Sequence, residues 1–330
     1  MEHELRELFP EIREDDLRRA ASRFSILEIS RGYPVIEEGE EDAGLMFILD
    51  GRVTVDTASF EVATIGPGGI LGEIGAFGAQ QRIANVCTVD PTVFLVIERR
   101  DYDVLAREAS PVAFAIERMA LLQTASRLRT LDVRIGDLAQ EEAGAEGPDH
   151  VRELDPALCD VPADLEVVEC LSASRLFEGA PAEALVVLSR HLRPIGVDSG
   201  QVLCAQGCRG DHAYILAEGS VEVRIGDGEG AQAPVAELGP GDAVGIASMV
   251  DDRPRMATCV AVEACSLLAI ERSSCERLVN LDGRVGSVFR GAMVRALGEQ
   301  ISYANAQFAR LSLKRQKLTG GVFTRVGVED

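Results

Sequence analysis

The sequence predicts a mainly β protein with flanking helices, an α+β chain made of two tandem β-barrels of the jelly-roll kind, each followed by a long helix. A long internal repeat, short alternating strands bounded by glycine and proline, and an extended apolar-periodic helix after each copy carry this prediction. In the repeat, Gly32, Gly39 and Gly51 match Gly200, Gly207 and Gly219 at a constant offset of 168. Further on, Gly66-Pro67-Gly68, Gly72, Arg82, Ala84 and Ile97-Glu98-Arg99 match Gly239-Pro240-Gly241, Gly245, Arg255, Ala257 and Ile270-Glu271-Arg272 at an offset of 173. The five-residue difference falls in Gly226-Asp227-Gly228-Glu229-Gly230, where a longer hairpin loop costs little.

Each element follows from local pattern. Asp15 and Asp16 suit a helix N-terminus, and Leu17, Ala20, Ala21 and Phe24 fall on one helical face. Alternation at Phe47, Leu49, Val53 and Val55 around Gly51 reads as a hairpin, and Ile215, Val221 and Val223 repeat it around Gly219. Val112 to about Leu131 is helical in pattern, with Ile116, Met119, Leu122 and Leu128 apolar. Pro181 opens a helix before the second barrel. Val285 to about Leu311 is the second long helix, with Val288, Phe289, Met293, Leu297, Ile301 and Phe308 apolar. The expected organisation is a first domain over 1–135, an acidic linker over 136–165 centred on Glu141–Asp149, a second domain over 166–315 and a tail over 316–330.

Composition narrows the function. The chain has 330 residues and a formal net charge of −21, which disfavours nucleic acid and anionic membranes as partners. It contains no apolar run long enough to span a bilayer, and Met1 to Glu7 is acidic and polar, unlike a signal peptide. The eight cysteines read as small hydrophobes kept reduced, so a cytoplasmic setting is expected. Cys204, Cys208 and His212 are spaced by four, but Gly207 and Gly210 argue against a helix there and no fourth ligand stands nearby, so no metal is expected. The histidines His3, His150, His191 and His212 are scattered, and the sequence has neither GxSxG nor a P-loop, so no enzyme and no cofactor are expected.

The segment with chemistry to offer is Gly72-Glu73-Ile74-Gly75-Ala76, followed by Arg82-Ile83-Ala84. A glycine turn brings backbone N–H groups close to an anion, and a guanidinium pairs with phosphate. A carboxylate beside them would repel a bare inorganic anion but accepts from a sugar hydroxyl. A ligand carrying both phosphate and ribose fits this combination.

Gly-Glu-Ile-Gly with an Arg nine residues after the Glu resembles the phosphate-binding cassette of cyclic nucleotide-binding domains. That family includes catabolite-activator-like regulators and the regulatory subunits of cAMP-dependent protein kinase. Both copies resemble it, over about residues 5–132 and 172–312. The resemblance implies that Glu73 binds the ribose 2′-hydroxyl and Arg82 the cyclic phosphate, with Gly72, Ile74, Gly75, Ala76, Ile83 and Ala84 completing the cradle. Ile83, where cGMP-selective relatives often carry Thr, favours cAMP. Thr124 and Ser126 on the following helix are candidates for the adenine, or else exposed helix polars.

The second copy, Gly245-Ile246-Ala247-Ser248 with Arg255-Met256-Ala257, keeps the arginine but places Ile246 where Glu is expected. Gly245, Ala247, Ser248, Arg255, Met256 and Ala257 are its candidate ligand contacts, with Gln300 and Ser302 in reach of a base. That site is either a weak or altered nucleotide site or a purely structural one.

The resulting expectation is a cyclic-nucleotide sensor whose ligand, most simply cAMP, repositions the helix after the first barrel toward an unknown protein effector. A scaffold of degenerate barrels is the alternative. A catabolite-activator-type transcription regulator is disfavoured, since roughly 20 residues after the second barrel are too few for a helix-turn-helix domain. The apolar stripes offer a homodimer through Ile116, Met119 and Leu128 or through Met293, Leu297 and Ile301, or else packing of each helix on its own barrel.

Overall fold

The structure is a computed structural model that describes residues 1–41, 44–58, 60–78, 81–140, 153–156, 159–162, 165–226 and 232–318. The Glu141–Asp149 stretch, residues 227–230 of the long hairpin loop and the end of the tail from 319 lie outside the described residues.

In the first half, α1 (Glu2–Leu8) and α2 (Glu14–Ala21) precede β1 (Phe24–Ile29), β2 (Pro34–Ile36), β3 (Leu45–Asp50), β4 (Val53–Thr57), β5 (Phe60–Ile65) and β6 (Ile70–Leu71). The short α3 (Glu73–Phe77), β7 (Asn85–Thr88), β8 (Thr92–Ile97), α4 (Arg99–Arg107) and α5 (Pro111–Gln140) follow. The second half repeats the order: α6 (Val167–Ala173), a 3₁₀ turn at Arg175–Phe177, α7 (Ala182–Ser189), β9 (Arg193–Val197), β10 (Val202–Cys204), β11 (His212–Glu218), β12 (Val221–Gly226), β13 (Gln232–Leu238) and β14 (Ala243–Val244). It closes with α8 (Ile246–Asp251), β15 (Thr258–Ala261), β16 (Cys265–Glu271), α9 (Arg272–Val279) and α10 (Arg284–Leu318).

Each half folds as two facing four-stranded antiparallel sheets, β1-β8-β3-β6 with β2-β7-β4-β5, then β9-β16-β11-β14 with β10-β15-β12-β13. These are the two tandem jelly-roll barrels the repeat predicts. The register pairs Phe24 with Ile97 and Phe47 with Leu95 in the first barrel, and Ile215 with Leu268 in the second.

Several expectations shift in detail. Alternation in β3 does not divide core from solvent, because Leu45, Met46, Phe47 and Ile48 are all buried. Met46 and Ile48 point into the barrel, and Leu45 and Phe47 face the helices packed outside it. Phe24 opens β1 rather than extending α2, since the helix stops at Ala21. Pro181 is the N-cap of α7, one position before the first turn.

Both long helices outrun their patterns: α5 reaches Gln140 and α10 reaches Leu318. Parts of the expected linker also pack on the second barrel, where Leu154 N donates to Val202 O and Gly196 N donates to Asp160 O.

The largest departure concerns the helix stripes. α5 and α10 pack along each other, so Ile116, Leu128, Met293, Leu297 and Ile301 are buried within one chain. The stripe the sequence offered to a second copy or to each helix's own barrel is covered by the other half's helix. Burial of apolar surface does not distinguish these partners in the sequence. One buried point ties the two helices together. The Glu117 carboxylate accepts from Tyr102 Oη at 2.8 Å and, across the contact, from Ser287 Oγ at 2.6 Å and Arg290 Nε at 2.8 Å, with Arg290 Nη2 ion-paired to it at 2.7 Å.

Candidate functional site

The first candidate site begins where β6 ends. Gly72 adopts φ +83°, a left-handed conformation open chiefly to glycine. A Cβ there would also collide with the Arg82 guanidinium and the Gly44 carbonyl. Gly72 caps α3, which starts at Glu73. Residues 81–84 return past the turn at 37–40, where Gly39 N donates to Arg82 O and Arg82 N donates to Glu40 O, both at 2.8 Å. These bonds fix the arginine backbone beside the glycine turn, and Arg82 Nη2 donates to Gly44 O at 2.9 Å.

Glu73 and Arg82 are both buried, at 2% and 5% exposure, and both line one cavity of about 290 Å³. Gly72, Ile74, Gly75, Ile83, Ala84 and Ser126 line it as well. A guanidinium, a carboxylate and a glycine turn therefore share one concavity, and Ile36, Val55, Val62, Ile65 and Val86 supply an apolar floor. A cleft on the order of 300 Å³ with few polar groups and apolar walls has the character of a small-molecule site.

Two predicted contacts lie elsewhere. Thr124 is fully buried and its hydroxyl donates to Ala120 O one turn back at 2.7 Å, so it does not face the cavity. Ala76 is buried behind the cradle, where its carbonyl accepts from Arg99.

The sequence reading missed Arg127. From α5 its Nη1 donates to Glu73 Oε1 at 2.5 Å and its Nη2 reaches Ile70 O. Gln123, one turn earlier, receives Ile70 N at 3.1 Å and donates to Gly68 O at 2.8 Å. Gln123 and Arg127 thus dock α5 onto the strand and turn that carry the cradle. An arginine one residue after the expected base contact Ser126 was the available signal.

Also missed were Ile301 and Asn305, which α10 of the second half contributes to the same cavity wall. α10 further grips α3. Arg295 donates to Phe77 O through Nε at 3.2 Å and Nη2 at 2.8 Å. A Cβ at Gly298 would lie 2.6 Å from Ile74 Cγ2, so glycine is what lets the helix come this close.

The second barrel repeats the turn with a different interior. Gly245 has φ +79° and caps α8. Gly245, Ala247, Ser248, Arg255, Met256, Ala257 and Gln300 line a cavity of about 90 Å³, narrower than the first. Ile246, in the place of the acid, is 1% exposed. Arg255 is spoken for by protein atoms: Nη1 donates to Gly245 O at 3.0 Å and Ser248 Oγ at 2.7 Å, Nη2 to His212 O at 2.5 Å, and Nε to the Glu153 carboxylate at 3.1 Å. Glu153 is held in turn by Ala205 N at 2.9 Å. Nothing in the acidic stretch around Glu153 singles it out in the sequence.

Ser302 donates back to Gly298 O at 3.1 Å and does not line the cavity, whereas Gln300 lines it and donates to Ala243 O at 2.7 Å. Asp132 of α5 reaches this second cavity, and burial pushes its carboxyl up to about 7 against the opposing pull of Arg129.

Among the described residues no group of three or more His, Cys, Asp or Glu could hold a metal ion, and no helix is long and apolar enough to cross a membrane. Cys204 is buried, Cys208 is exposed and His212 lies in β11.

Fold and site together define a tandem jelly-roll protein whose first barrel gathers a glycine turn, a carboxylate and a guanidinium in one cavity. The family model for the cyclic nucleotide-binding domain matches residues 26–109 and 195–282, more than half of the chain, and the chain belongs to that family. A cyclic nucleotide-gated potassium channel of Mesorhizobium japonicum is 31% identical over 134 residues, 41% of this chain and 36% of the channel. A CRP-like cAMP-activated global transcriptional regulator of Mycobacterium tuberculosis is 26% identical over 106 residues, 32% of this chain and 47% of the regulator. A cAMP-dependent protein kinase regulatory subunit of Yarrowia lipolytica is 34% identical over 113 residues, 34% of this chain and 28% of that subunit. Each match spans less than half of the relative's own length. Among solved structures, the regulatory domain of Toxoplasma gondii PKA with cAMP aligns over 85% of this chain and 91% of that one, at 20% identity and a TM-score of 0.33.

Proposed function

We propose that the first barrel binds a cyclic nucleotide, cAMP in the first instance, and that the chain is a sensor whose ligand acts on the helices α5 and α10. The observation that carries this reading is the convergence of Glu73 and Arg82 on one cavity whose remaining wall is built by those two helices. Arg82 would pair with the cyclic phosphate and Glu73 would accept from the ribose hydroxyl. Glu73 already holds Arg127 of α5, so a hydroxyl arriving there meets the group that docks the helix. The ligand shifts the helix only by its different affinity for the docked and displaced positions. A protein effector reading the position of α5 or α10 belongs to the same proposal.

Calorimetric titration with cAMP and cGMP, on the wild type and on Arg82→Ala, tests it. One charge-assisted hydrogen bond contributes about 2 kcal/mol, so the variant should bind roughly 30-fold more weakly or not at all. Saturable binding undiminished by the substitution refutes the assignment of the phosphate to Arg82.

One observation favours a second role within the same molecule. Glu153 sits on Arg255 inside the second barrel and Ile246 replaces the acid, so we read that barrel as a structural partner whose arginine is satisfied by the chain itself. A stoichiometry of one nucleotide per chain is the expected result, and two equal sites would refute this part.

A further inference from the structure

The second barrel holds a pair of thiols that the nucleotide reading does not use. Cys204 ends β10 and stands directly opposite Cys259 of β15 in the antiparallel register. Opposite residues of such strands put their side chains on one face with Cα atoms about 4.5–5.5 Å apart, inside the roughly 4.4–6.8 Å that a disulfide spans. Both cysteines belong to the buried filling of the barrel, and both are free thiols. Among the described residues no other two cysteines face each other across a strand pair. A hydrogen bond between the two thiols, with burial added, pushes Cys259 well above its ordinary value, so Cys259 keeps its proton.

A thiol sealed among apolar side chains is ordinarily inert, whereas a sulfur beside a cation reacts. A Cβ at Gly245 would collide with Arg255 Nη1 and stand 3.2 Å from Cys204 Sγ, so sulfur and guanidinium converge on one point of the glycine turn. Cys204, Cys259 and Arg255 together line the cavity of about 90 Å³. A water-sized molecule needs only about 10–15 Å³ of such space, so a small neutral oxidant fits there.

We propose that Cys204 and Cys259 are an oxidative modification site, joined reversibly as a cross-strand disulfide by hydrogen peroxide. The Cys204 sulfur attacks one peroxide oxygen and the O–O bond breaks. Cys204 becomes a sulfenic acid, and water leaves carrying the thiol proton. The Cys259 sulfur then attacks the Cys204 sulfur. The S–S bond forms, the S–O bond breaks, and the hydroxyl departs as water with the proton that Cys259 kept. The two thiols lose two electrons and one peroxide gains them. The bond staples β10, whose next residue Ala205 holds Glu153, to β15, which starts three residues after Arg255. Oxidation thereby fixes the second barrel's arginine and its carboxylate in place, whether or not the first barrel takes a nucleotide.

The test treats the full reduced chain with a stoichiometric amount of hydrogen peroxide, alkylates it in urea and maps it by mass spectrometry without reduction. Peptide fragmentation tells Cys204 from Cys208 and Cys259 from Cys265. The Cys204 and Cys259 peptides should be linked with loss of two hydrogens, both thiols should escape alkylation, and dithiothreitol should restore them. Cys259→Ser should stop at a Cys204 sulfenic acid that dimedone traps, and Cys204→Ser should leave Cys259 open to alkylation. Peroxide that oxidises the exposed Cys208 while Cys204 and Cys259 both remain alkylated overturns the proposal, even if neither variant folds. Linkage of either cysteine to a different partner overturns it too. So does the same linkage at equal yield when the chain is oxidised already unfolded in urea, because the strand register would then play no part.

Discussion

Replacing Glu117 with Gln should be among the most destabilising conservative changes in this chain. Glu117 and Arg290 are each 1% exposed, and the carboxylate accepts three hydrogen bonds, from Tyr102, Ser287 and Arg290 Nε, and is ion-paired to Arg290 Nη2. The guanidinium also donates to Val279 O at 3.0 Å and Leu281 O at 2.8 Å and lies 4.4 Å from the Phe114 ring centroid. Glu117→Gln keeps the shape, removes the counter-charge and turns an NH₂ toward groups that already donate. Breaking one partner of such a pair costs about 3–5 kcal/mol, because an uncompensated charge stays buried. Against a typical folding stability of about 5–15 kcal/mol this is a large fraction. Urea unfolding followed by far-UV circular dichroism is the assay, since the chain has no Trp. The double variant Glu117→Leu with Arg290→Met should recover most of the loss, as apolar replacements of both partners are near neutral. A Glu117→Gln loss below about 1 kcal/mol, or a double variant worse than either single one, would refute the reasoning.

Three further outcomes are expected. Gly298→Ala should destabilise the chain by about 1–3 kcal/mol despite alanine's better helix propensity, because the new methyl meets Ile74 Cγ2 at 2.6 Å; adding Ile74→Ala should relieve the clash, and thermal melts of the single and double variants decide. Glu153→Ala leaves Arg255 buried without its carboxylate, so millimolar sulfate should raise the variant's melting temperature more than the wild type's, and equal shifts would mean that Glu153 is not what neutralises Arg255. Asp132 titrates at about 7 in the fold, against an unfolded value of about 3.9, so the native state binds the extra proton between the two. Wild-type stability should therefore fall, relative to Asp132→Asn, as pH rises from about 4 to about 7, and level off above; parallel denaturation profiles across that range would count against it.

Much of the architecture was legible in the chain. The repeat offsets rest on glycines that recur because turns with positive φ demand them, and Gly72 and Gly245 both prove to be left-handed caps. Glu73 and Arg82 could be paired because the cradle is local, within a dozen residues of chain. What escaped was long-range. Whether Met293 and Leu297 meet a second copy, their own barrel or α5 depends on topology that apolar periodicity does not encode. Arg127 and Asn305 look like ordinary helix polars until packing brings them to Glu73 and the cavity wall, and Glu153 looks like one more acid in an acidic stretch. Thr124 misled for the opposite reason: a hydroxyl on a helix has its own preceding carbonyl as a ready acceptor, and buried among apolar neighbours it takes that bond.

The apolar interior that starts at Leu5 runs without a break to Leu311. Each barrel keeps its own filling between its sheets, yet the oil outside them is shared, and each long helix lends one flank to the other's territory. Cutting the chain between the halves would bare a greasy ridge on both fragments. Heating should melt the whole in a single calorimetric step, with neither fragment soluble alone at the concentrations the intact chain tolerates.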